Sequence, residues 1–334
     1  MKHLKSAIQN PKWLAVVAAV IAFAACEALS EAQQPKKIPR IGILLSGSRN
    51  PIWGEAFRQA LREVGYIDGQ NVAFEYRNAE GKSERQAVLA RELVATSVDV
   101  LVAAGGNDVT GSLMRATKTI PIIMTAGSNP VARGLIASLA RPGGNVTGIT
   151  AGWDDLSGKR LELLKETIPK LLRVAVLWNS TYGHNTQWRA SQVAAKSLKL
   201  ELYSMQIQST DDFKSAFNGS VKAGSEALAV TQSSEIGTGI GQVIQLAIKH
   251  RLPAIYAIPE YSESGGLMAY GGSRSDLARH TAVYIDKILR GDKAAELPVE
   301  QPAKFEFVIN LKTAKEIGFT VPPNVLARAD RVIR

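Results

Sequence analysis

The chain is poor in the residues that build metal sites and covalent catalytic centres. Its 334 residues contain one cysteine, Cys26, which excludes an internal disulfide and a cysteine-rich metal site. His184, His250 and His280 lie far apart in the sequence, so none has a partner at metal-ligand spacing. The sequence also lacks a serine-hydrolase elbow and a phosphate-binding loop. No dinucleotide-binding glycine fingerprint follows the first apolar run. The sequence therefore predicts no enzyme, no cofactor and no metal.

The charge balance is basic but carries no nucleic-acid signature. Lysine and arginine number 40 against 30 acidic residues, which gives a formal net charge of +10. The basic residues are scattered among acids, with no arginine- or lysine-rich tract and no recognisable DNA-binding motif. We therefore expect no nucleic-acid partner and interpret the charge as a generally basic exported surface.

The long apolar run of this sequence is confined to its N-terminus. Three lysines precede an unbroken apolar stretch, Leu14–Ala25. A basic start followed by an apolar run too short to cross a bilayer is typical of a secretory signal peptide, and the same length argues against a transmembrane anchor. We expect residues 1–26 to be a signal peptide, residues 27–37 to be a flexible tether, and the protein to be periplasmic.

The residues around Cys26 leave more than one cleavage point open. Phe23–Cys26 resembles a bacterial lipobox, in which the cysteine becomes lipidated. Ala22–Ala24 and Ser30–Ala32 are alternative cleavage sites, because in each a small residue precedes and follows the central residue. Lipid anchoring through Cys26 is therefore one of the alternatives that the sequence allows.

Short apolar runs occur in two series along the chain. Within each series, stretches long enough to form a helix separate the runs. The runs are Ile41–Ser46, Val72–Tyr76, Val98–Ala104 and Ile120–Met124, then Val174–Trp178, Leu200–Tyr203, Glu226–Val230 and Leu252–Tyr256. Such runs predict parallel strands joined by crossover helices. The chain is long enough for two domains with separate cores. The sequence therefore predicts an α/β fold with two Rossmann-like parallel-sheet lobes whose ligand-facing edges turn toward one cleft.

Three later segments are interpreted as crossings between these lobes. They are Val146–Ala151, Leu267–Gly272 and Phe305–Asn310. The predicted lobes are residues 38–147 plus 273–304 and residues 148–272 plus 305–334. Several crossings would allow hinge closure without free tumbling of the lobes. We also expect one helix over Pro130–Leu139 and an amphipathic helix over Ser275–Arg290, the latter packed on the first lobe.

Polar and small residues follow the predicted strands of both lobes. They include Ser46, the Gly105–Thr110 turn and Thr125–Pro130 in the first lobe, and Asn179–Gly183, Thr231–Glu235 and Ile258–Glu260 in the second. Hydroxyls, amides and free N–H groups at helix starts attract a carboxylate or phosphate. Ordinary N-capping explains any one of these residues. Their convergence on one cleft favours ligand binding.

Aromatic side chains make up only 6% of the chain, yet several lie near these strand ends. Trp153, Tyr182 and Tyr256 are among them, and a flat apolar ligand could stack on such rings. Core packing is the alternative, most of all for Trp178 inside a predicted strand. Tyr182 and Tyr256 are therefore candidate ligand contacts.

Motifs along the whole mature chain resemble one family. They are Ile38–Leu44, Leu61–Tyr66 with Gly69–Val72, Ala116–Ile122, Gly134–Gly148, Lys159–Leu164, Gly265–Gly271, Tyr284–Gly291 and Leu297–Glu306. Together they resemble the ABC-transporter substrate-binding family that includes tryptophan- and phenylalanine-binding lipoproteins. The resemblance implies a type I periplasmic-binding-protein fold.

The resemblance also implies which strand-end residues hold the amino and carboxylate groups of a ligand. The matching positions are Ser46, Asn107, Asp108, Ala126, Gly127 and Ser128, with Asn179 and Gln232 across the cleft. Two turns depart from the family pattern. The family usually has a Thr- or Ser-Pro-Ala-like turn where Gly106–Val109 stands, and an Asn-Pro-rich turn where Asn179–His184 stands. Both lie at the expected pocket, so the ligand need not be an aromatic amino acid.

The resemblance implies an exported receptor that delivers a small molecule, an amino acid or related carboxylate, to an ABC importer. Its partners would be the permease and ATPase at the inner membrane, and the receptor itself would be a monomer. A ligand-sensing partner of a membrane receptor and a cleft hydrolase or isomerase are the alternatives. The absence of a triad, metal set or acid–base pair argues against the enzyme.

Overall fold

The computed structural model describes residues 38–47, 51–153, 155–180, 186–301 and 304–334, without the side chains of residues 51–53. The predicted signal peptide and tether, including Cys26, lie outside the described residues, and so does Tyr182. None of the helices in the described ranges combines the length and the apolar character that a membrane span needs. The same ranges contain no cluster of three side chains that could hold a metal ion.

The first lobe is built on a five-stranded sheet. Its strands are β1 (Arg40–Leu45), β2 (Ala73–Asn78), β3 (Val100–Ala104), β4 (Ile122–Gly127) and β5 (Val146–Thr150). They are ordered β2-β1-β3-β4-β5, and every neighbouring pair is parallel. The apolar side chains of β1 and β3 are buried, as expected for central strands covered on both faces.

Helices cover both faces of this sheet. Those that follow its strands are α1 (Pro51–Glu63), α2 (Ser83–Ala95) and α3 (Asn107–Ala116). On one face, Phe57 of α1 belongs to the same buried cluster as Ile41 and Val102. On the other face, Leu93 of α2 and Leu113 of α3 pack with the opposite side chains of the sheet.

The second lobe is built on a seven-stranded sheet. Its strands are β6 (Arg173–Asn179), β7 (Glu201–Ile207), β8 (Ala227–Val230), β9 (Ala254–Tyr256), β10 (Met268–Gly271), β11 (Glu306–Asn310) and β12 (Arg331–Ile333). The order is β12-β11-β10-β9-β8-β6-β7. The β10–β11 pair is antiparallel and the other pairs are parallel. The two parallel-sheet lobes predicted from the sequence are therefore confirmed.

The remaining helices flank the second sheet, with one exception. They are α4 (Leu156–Thr167), α5 (Thr186–Leu198), α6 (Phe213–Lys222), α7 (Ser234–Thr238), α8 (Ile240–Lys249), α9 (Glu260–Glu263), α10 (Arg274–Leu289), α11 (Leu311–Glu316) and α12 (Pro323–Leu326). The exception is α10, whose Ala278, Ala282 and Ile285 share a buried cluster with Ile41 of β1. The predicted packing of this amphipathic helix on the first lobe is confirmed.

The chain passes between the lobes at the ends of the segments predicted to cross. Val146–Thr150 is a full strand of the first sheet, and its pairing continues to Ala151, whose N–H donates to Gly127 O at 3.0 Å. The predicted lobe boundary between residues 147 and 148 therefore falls inside β5. The other two segments are β10 and β11, paired with each other in the second sheet. Within the described residues, the three passages lie after Thr150, after Gly271 and before Glu306.

The helix predicted over Pro130–Leu139 is absent, and a series of turns takes its place. Leu135 N donates to Pro130 O at 2.9 Å, and Gly134 N donates to Val131 O at 2.9 Å. Gly134 has a φ of 66°, a left-handed conformation that ends a helical turn. The prediction was wrong because the glycine closes the first turn before a helix can propagate.

The contact between β4 and β5 requires a glycine at position 148. Gly148 has a φ of 127°, and a Cβ at this residue would lie 2.1 Å from Met124 O. We expect Gly148→Ala to lower the free energy of unfolding by about 2–6 kcal/mol, the sum of backbone strain and overpacking. Urea denaturation measures this loss. Gly144→Ala is the matched control because nothing lies within 4 Å of its Cβ position; equal stability of the two variants would contradict the prediction.

Candidate functional site

A cavity of about 270 Å³ lies between the two lobes. The loops that follow β1, β3 and β4 line it from the first lobe, and those that follow β6, β8 and β9 line it from the second. These are the carboxyl ends of parallel strands, where open α/β sheets place their ligands. The volume lies just below the range typical of drug-sized ligand pockets, so it suits a molecule of amino-acid size.

Most of the predicted site residues line this cavity. They are Ser46, Asn107, Asp108, Ala126, Ser128, Asn179 and Gln232. Gly127 does not line it but lies against Met124, whose Sδ would be 2.1 Å from an added Cβ. Tyr256 is 1% exposed in the core of the second lobe and packs edge-to-face on Tyr261. The prediction of Tyr256 as a cavity residue was wrong because its strand places the ring among buried apolar side chains.

Asn107 ties together the two loops that form the first-lobe wall. Its Nδ2 donates to Ser128 O at 2.5 Å, and Ser128 N donates to Asn107 Oδ1 at 3.1 Å. The loop after β4 is therefore fixed to the start of α3 by a reciprocal pair of hydrogen bonds. Asn107 holds the shape of the wall through this pair.

The lobes approach each other closely at the rim of the cavity. A Cβ at Gly47, after β1, would lie 2.6 Å from Thr238 Oγ1 in α7. Deeper in the first lobe, a Cβ at Gly105 would lie 2.5 Å from Ser46 Oγ. Glycine at both positions lets the backbone of one loop lie directly against its neighbour.

A chain of side-chain hydrogen bonds forms the second-lobe wall. Arg274 Nη2 donates to Tyr261 Oη at 2.8 Å, and Tyr261 Oη donates to Gln232 Oε1 at 3.1 Å. The side chain of Gln187 holds the backbone of Gln232 in place. Gln187 Nε2 donates to Gln232 O, and Gln187 Oε1 accepts from Gln232 N. Gln232 Nε2 in turn donates to Ser233 O at 3.1 Å. The wall is therefore held in place before any ligand arrives.

The cavity brings side chains of both charge signs together. Asp108 of α3, Arg133 and Arg274 line it. Burial raises the pKa of the Asp108 carboxyl, and the positive charges of Arg133 and Arg115 partly oppose that rise. The desolvated carboxylate is thus suited to hold a cationic group.

A second carboxyl group lies close to the cavity from the other lobe. Glu235 in α7 is 8% exposed, and its Oε2 has no hydrogen-bond partner among the described residues. Burial raises its pKa, hydrogen bonds from its own backbone and Ser233 lower it, and the charge of Asp108 raises it further. The two carboxyl groups, one in each lobe, are therefore close enough for their charges to interact.

Among the cavity residues that were not predicted from the sequence, three have long polar side chains. Arg133 lies in the turns that replaced a predicted helix, Gln187 lies near the start of α5, and Arg274 begins α10. Arg133 and Gln187 do not follow directly on a strand end, so the rule that identified the other residues does not reach them. Arg274 follows β10, but that segment was interpreted as a crossing between the lobes. Trp153 and Ser233, which were noted near the strand ends, both line the cavity.

The fold and the interlobe cavity define a receptor of the type I periplasmic-binding-protein class. The chain belongs to the ABC transporter substrate binding protein family, whose sequence pattern matches residues 47–333. This family consists of substrate-binding proteins and not of enzymes, and such proteins are typically extracytoplasmic.

Several relatives share most of this chain. A tyrosine-binding protein of Clostridioides difficile (strain R20291) is 29% identical over 265 residues, which cover 79% of this chain and 75% of that protein. The ABC domain from Streptococcus pneumonia in complex with L-Trp is 28% identical with a TM-score of 0.79, covering 88% of this chain and 99% of that one. A leucine-binding protein of Thermotoga maritima, 15% identical with a TM-score of 0.57 over 84% of this chain and 87% of that one, shares the fold.

Because burial raises the pKa of Glu235, we predict that ionisation of this carboxyl group destabilises the folded protein as the pH rises. The folded protein binds this proton more tightly than the unfolded chain does, so stability falls as pH rises from the unfolded pKa through the folded pKa. Glu235→Gln removes the charge, and we expect a higher Tm than that of the parent at pH 7. The gain should shrink toward pH 4, near the ordinary pKa of about 4.3.

Thermal melts of the parent and variant at both pH values measure this difference. Glu201→Gln on the exposed end of β7 is the control, because it makes the same substitution at a side chain in solvent. A Glu235→Gln gain of equal size at pH 4 and pH 7 would show that the buried charge is not its cause.

Proposed function

We propose that this protein is an exported receptor that binds a small zwitterion, an amino acid or related carboxylate, and delivers it to an ABC importer. The observation that carries the proposal is the interlobe cavity of about 270 Å³, whose wall includes both acidic and basic side chains. A ligand that carries one charge of each sign complements such a wall. The relatives that bind tyrosine or hold L-Trp support an amino acid.

The ionised groups suggest how such a ligand is held. Asp108 would accept charge-assisted hydrogen bonds from the ammonium group, since burial deprives its carboxylate of water. Apolar parts of the wall, contributed by Trp153, Ile258 and Leu277, would contact the ligand's side chain. Trp153 offers a ring face for an aromatic side chain, as the ligands of the relatives would require.

The receptor role also explains the two-lobed construction. The lobes are joined by three passages and meet at the cavity rim through Gly47 and Thr238. Closure around a ligand would present a distinct surface to the permease and ATPase, so that the importer recognises the loaded receptor. The chain would act as a monomer in this cycle, with one ligand per molecule.

The charge on Asp108 should decide the affinity for an amine-bearing ligand. We expect the parent protein to bind one or more members of a panel of the twenty L-amino acids in calorimetry. Asp108→Asn should weaken that binding by about 10- to 100-fold, because a charge-assisted hydrogen bond contributes about 1.5–3 kcal/mol. Folding should not be weakened, because the cap of α3 is Gly106 and burial already disfavours the charged form of Asp108.

Asp211→Asn is the matched control, since Asp211 is exposed in the second lobe and does not line the cavity. Unchanged affinity of Asp108→Asn would show that the Asp108 carboxylate does not hold the ligand's amine. Failure of the parent to bind any L-amino acid would overturn the proposal itself.

Cleavage of the N-terminal residues tests export, and lipidation at Cys26 tests anchoring. In a Gram-negative host we expect the full-length chain to lose about its first 26 to 32 residues, as signal-peptide lengths require. Radiolabelled fatty acid should enter the parent and be absent from Cys26→Ser if the lipobox is used. Intact Met1 on the exported form would contradict export through a cleaved signal, and label retained by Cys26→Ser would contradict anchoring at Cys26.

A further inference from the structure

We infer that Arg274 binds the ligand's carboxylate and that Tyr261 positions the guanidinium for it. The inference rests on the proposed function, because it assumes a ligand with a free carboxylate. It goes beyond the proposed function by assigning the anionic end of the ligand to one residue, which was not predicted from the sequence.

Arg274 lies where the chain passes from the second lobe to the first. It begins α10 directly after β10, and its side chain lines the cavity. Its backbone N–H donates to Glu260 Oε1 at 2.6 Å, and Ser273 Oγ caps the helix by accepting from Asp276 N at 3.1 Å. The base of the Arg274 side chain is therefore fixed at the junction of the lobes.

Tyr261 determines the direction of the guanidinium. The Arg274 Cζ lies 5.0 Å from the centroid of the Tyr261 ring, and Nη2 donates to the hydroxyl of the same tyrosine. Tyr261 is 2% exposed, and its hydroxyl is committed to Gln232 Oε1. Ring and hydroxyl together hold the planar guanidinium in one orientation, since arginine stacks on aromatic faces and donates in the plane.

The guanidinium keeps donors for a ligand. It has five N–H groups, and one of its nitrogens is engaged by Tyr261. Among the residues that the structure describes, no carboxylate lies within ion-pair distance of Arg274. Burial raises the pKa of the nearby Glu260 carboxyl, and the charge of Arg274 partly opposes that rise, but the two side chains form no ion pair. The half-buried guanidinium can therefore still pair with an anion that enters the cavity. A carboxylate matches the planar fork through two parallel hydrogen bonds.

The opposite charges of Asp108 and Arg274 then determine how a zwitterionic ligand is oriented in the cavity. Asp108 belongs to the first lobe, whereas Arg274 reaches the cavity through Tyr261 and Gln232 of the second. Arg133 is not equivalent to Arg274, because its charge acts on Asp108 and opposes the rise in the pKa of that carboxyl. A zwitterion held by both residues would span the cleft, with its ammonium on the first lobe and its carboxylate at the lobe junction.

The test compares each L-amino acid that binds with its C-terminal amide, which keeps the amine and side chain but has no carboxylate. In calorimetry, Arg274→Gln should lower the acid-to-amide ratio of affinities by about 10- to 100-fold, because a loss of wall structure affects both ligands and a loss of the carboxylate contact affects only the acid. Arg274→Lys should lie between parent and Arg274→Gln for the acid, because it keeps the charge without the fork. Tyr261→Phe should lower the acid-to-amide preference while Arg274 remains in place.

Arg279→Gln is the control, since Arg279 is exposed on the same helix and pairs with Asp276. Thermal melts of each variant confirm that it is folded at the assay temperature, and Arg274→Lys covers the case in which Arg274→Gln fails to fold. An acid-to-amide preference that stays at the parental value in Arg274→Lys or Arg274→Gln would overturn the assignment of Arg274 alone. A parent that binds neither acids nor amides would instead overturn the proposed function and this inference with it.

Discussion

The parallel arrangement of the strands is the constraint from which the cleft follows. In a parallel sheet all carboxyl ends lie at one edge, so the loops after β1, β3 and β4 must gather on one side of the first lobe. The loops after β6, β8 and β9 gather in the same way on the second. Because the chain passes between the lobes more than once, these two edges enclose one cavity.

Within that cavity, packing fixes the wall before a ligand is bound, and charge then selects the ligand. Asn107 ties one loop to another, and the Arg274–Tyr261–Gln232 chain does the same for the opposite wall. A preformed wall reduces the ordering that binding requires. Asp108 and Arg274 lie partly out of water, where their charges act more strongly than they would at the surface.

Much of this architecture could be predicted from the sequence, because apolar runs and the turns between them carry strong local signals. Strand-end residues such as Ser46, Asp108 and Gln232 were found by that rule. Arg274 escaped it because the segment before it, Leu267–Gly272, was interpreted as a crossing between the lobes and not as a strand that ends at the cleft. The structure shows β10 as a strand of the second sheet, and Arg274 follows it at the start of α10. For Tyr256 the same rule gave a wrong prediction. This residue lies at a strand end, but its ring is buried in the core and not in the cavity.

The central claim is that the cleft holds one small molecule that carries both an amine and a carboxylate. Its most direct test is mass spectrometry of whatever compound co-purifies with the exported protein and is released on denaturation. The account predicts a single species of amino-acid size with both groups, in a ratio approaching one per chain. A sugar, or another solute without ionisable groups, released at that ratio would contradict it.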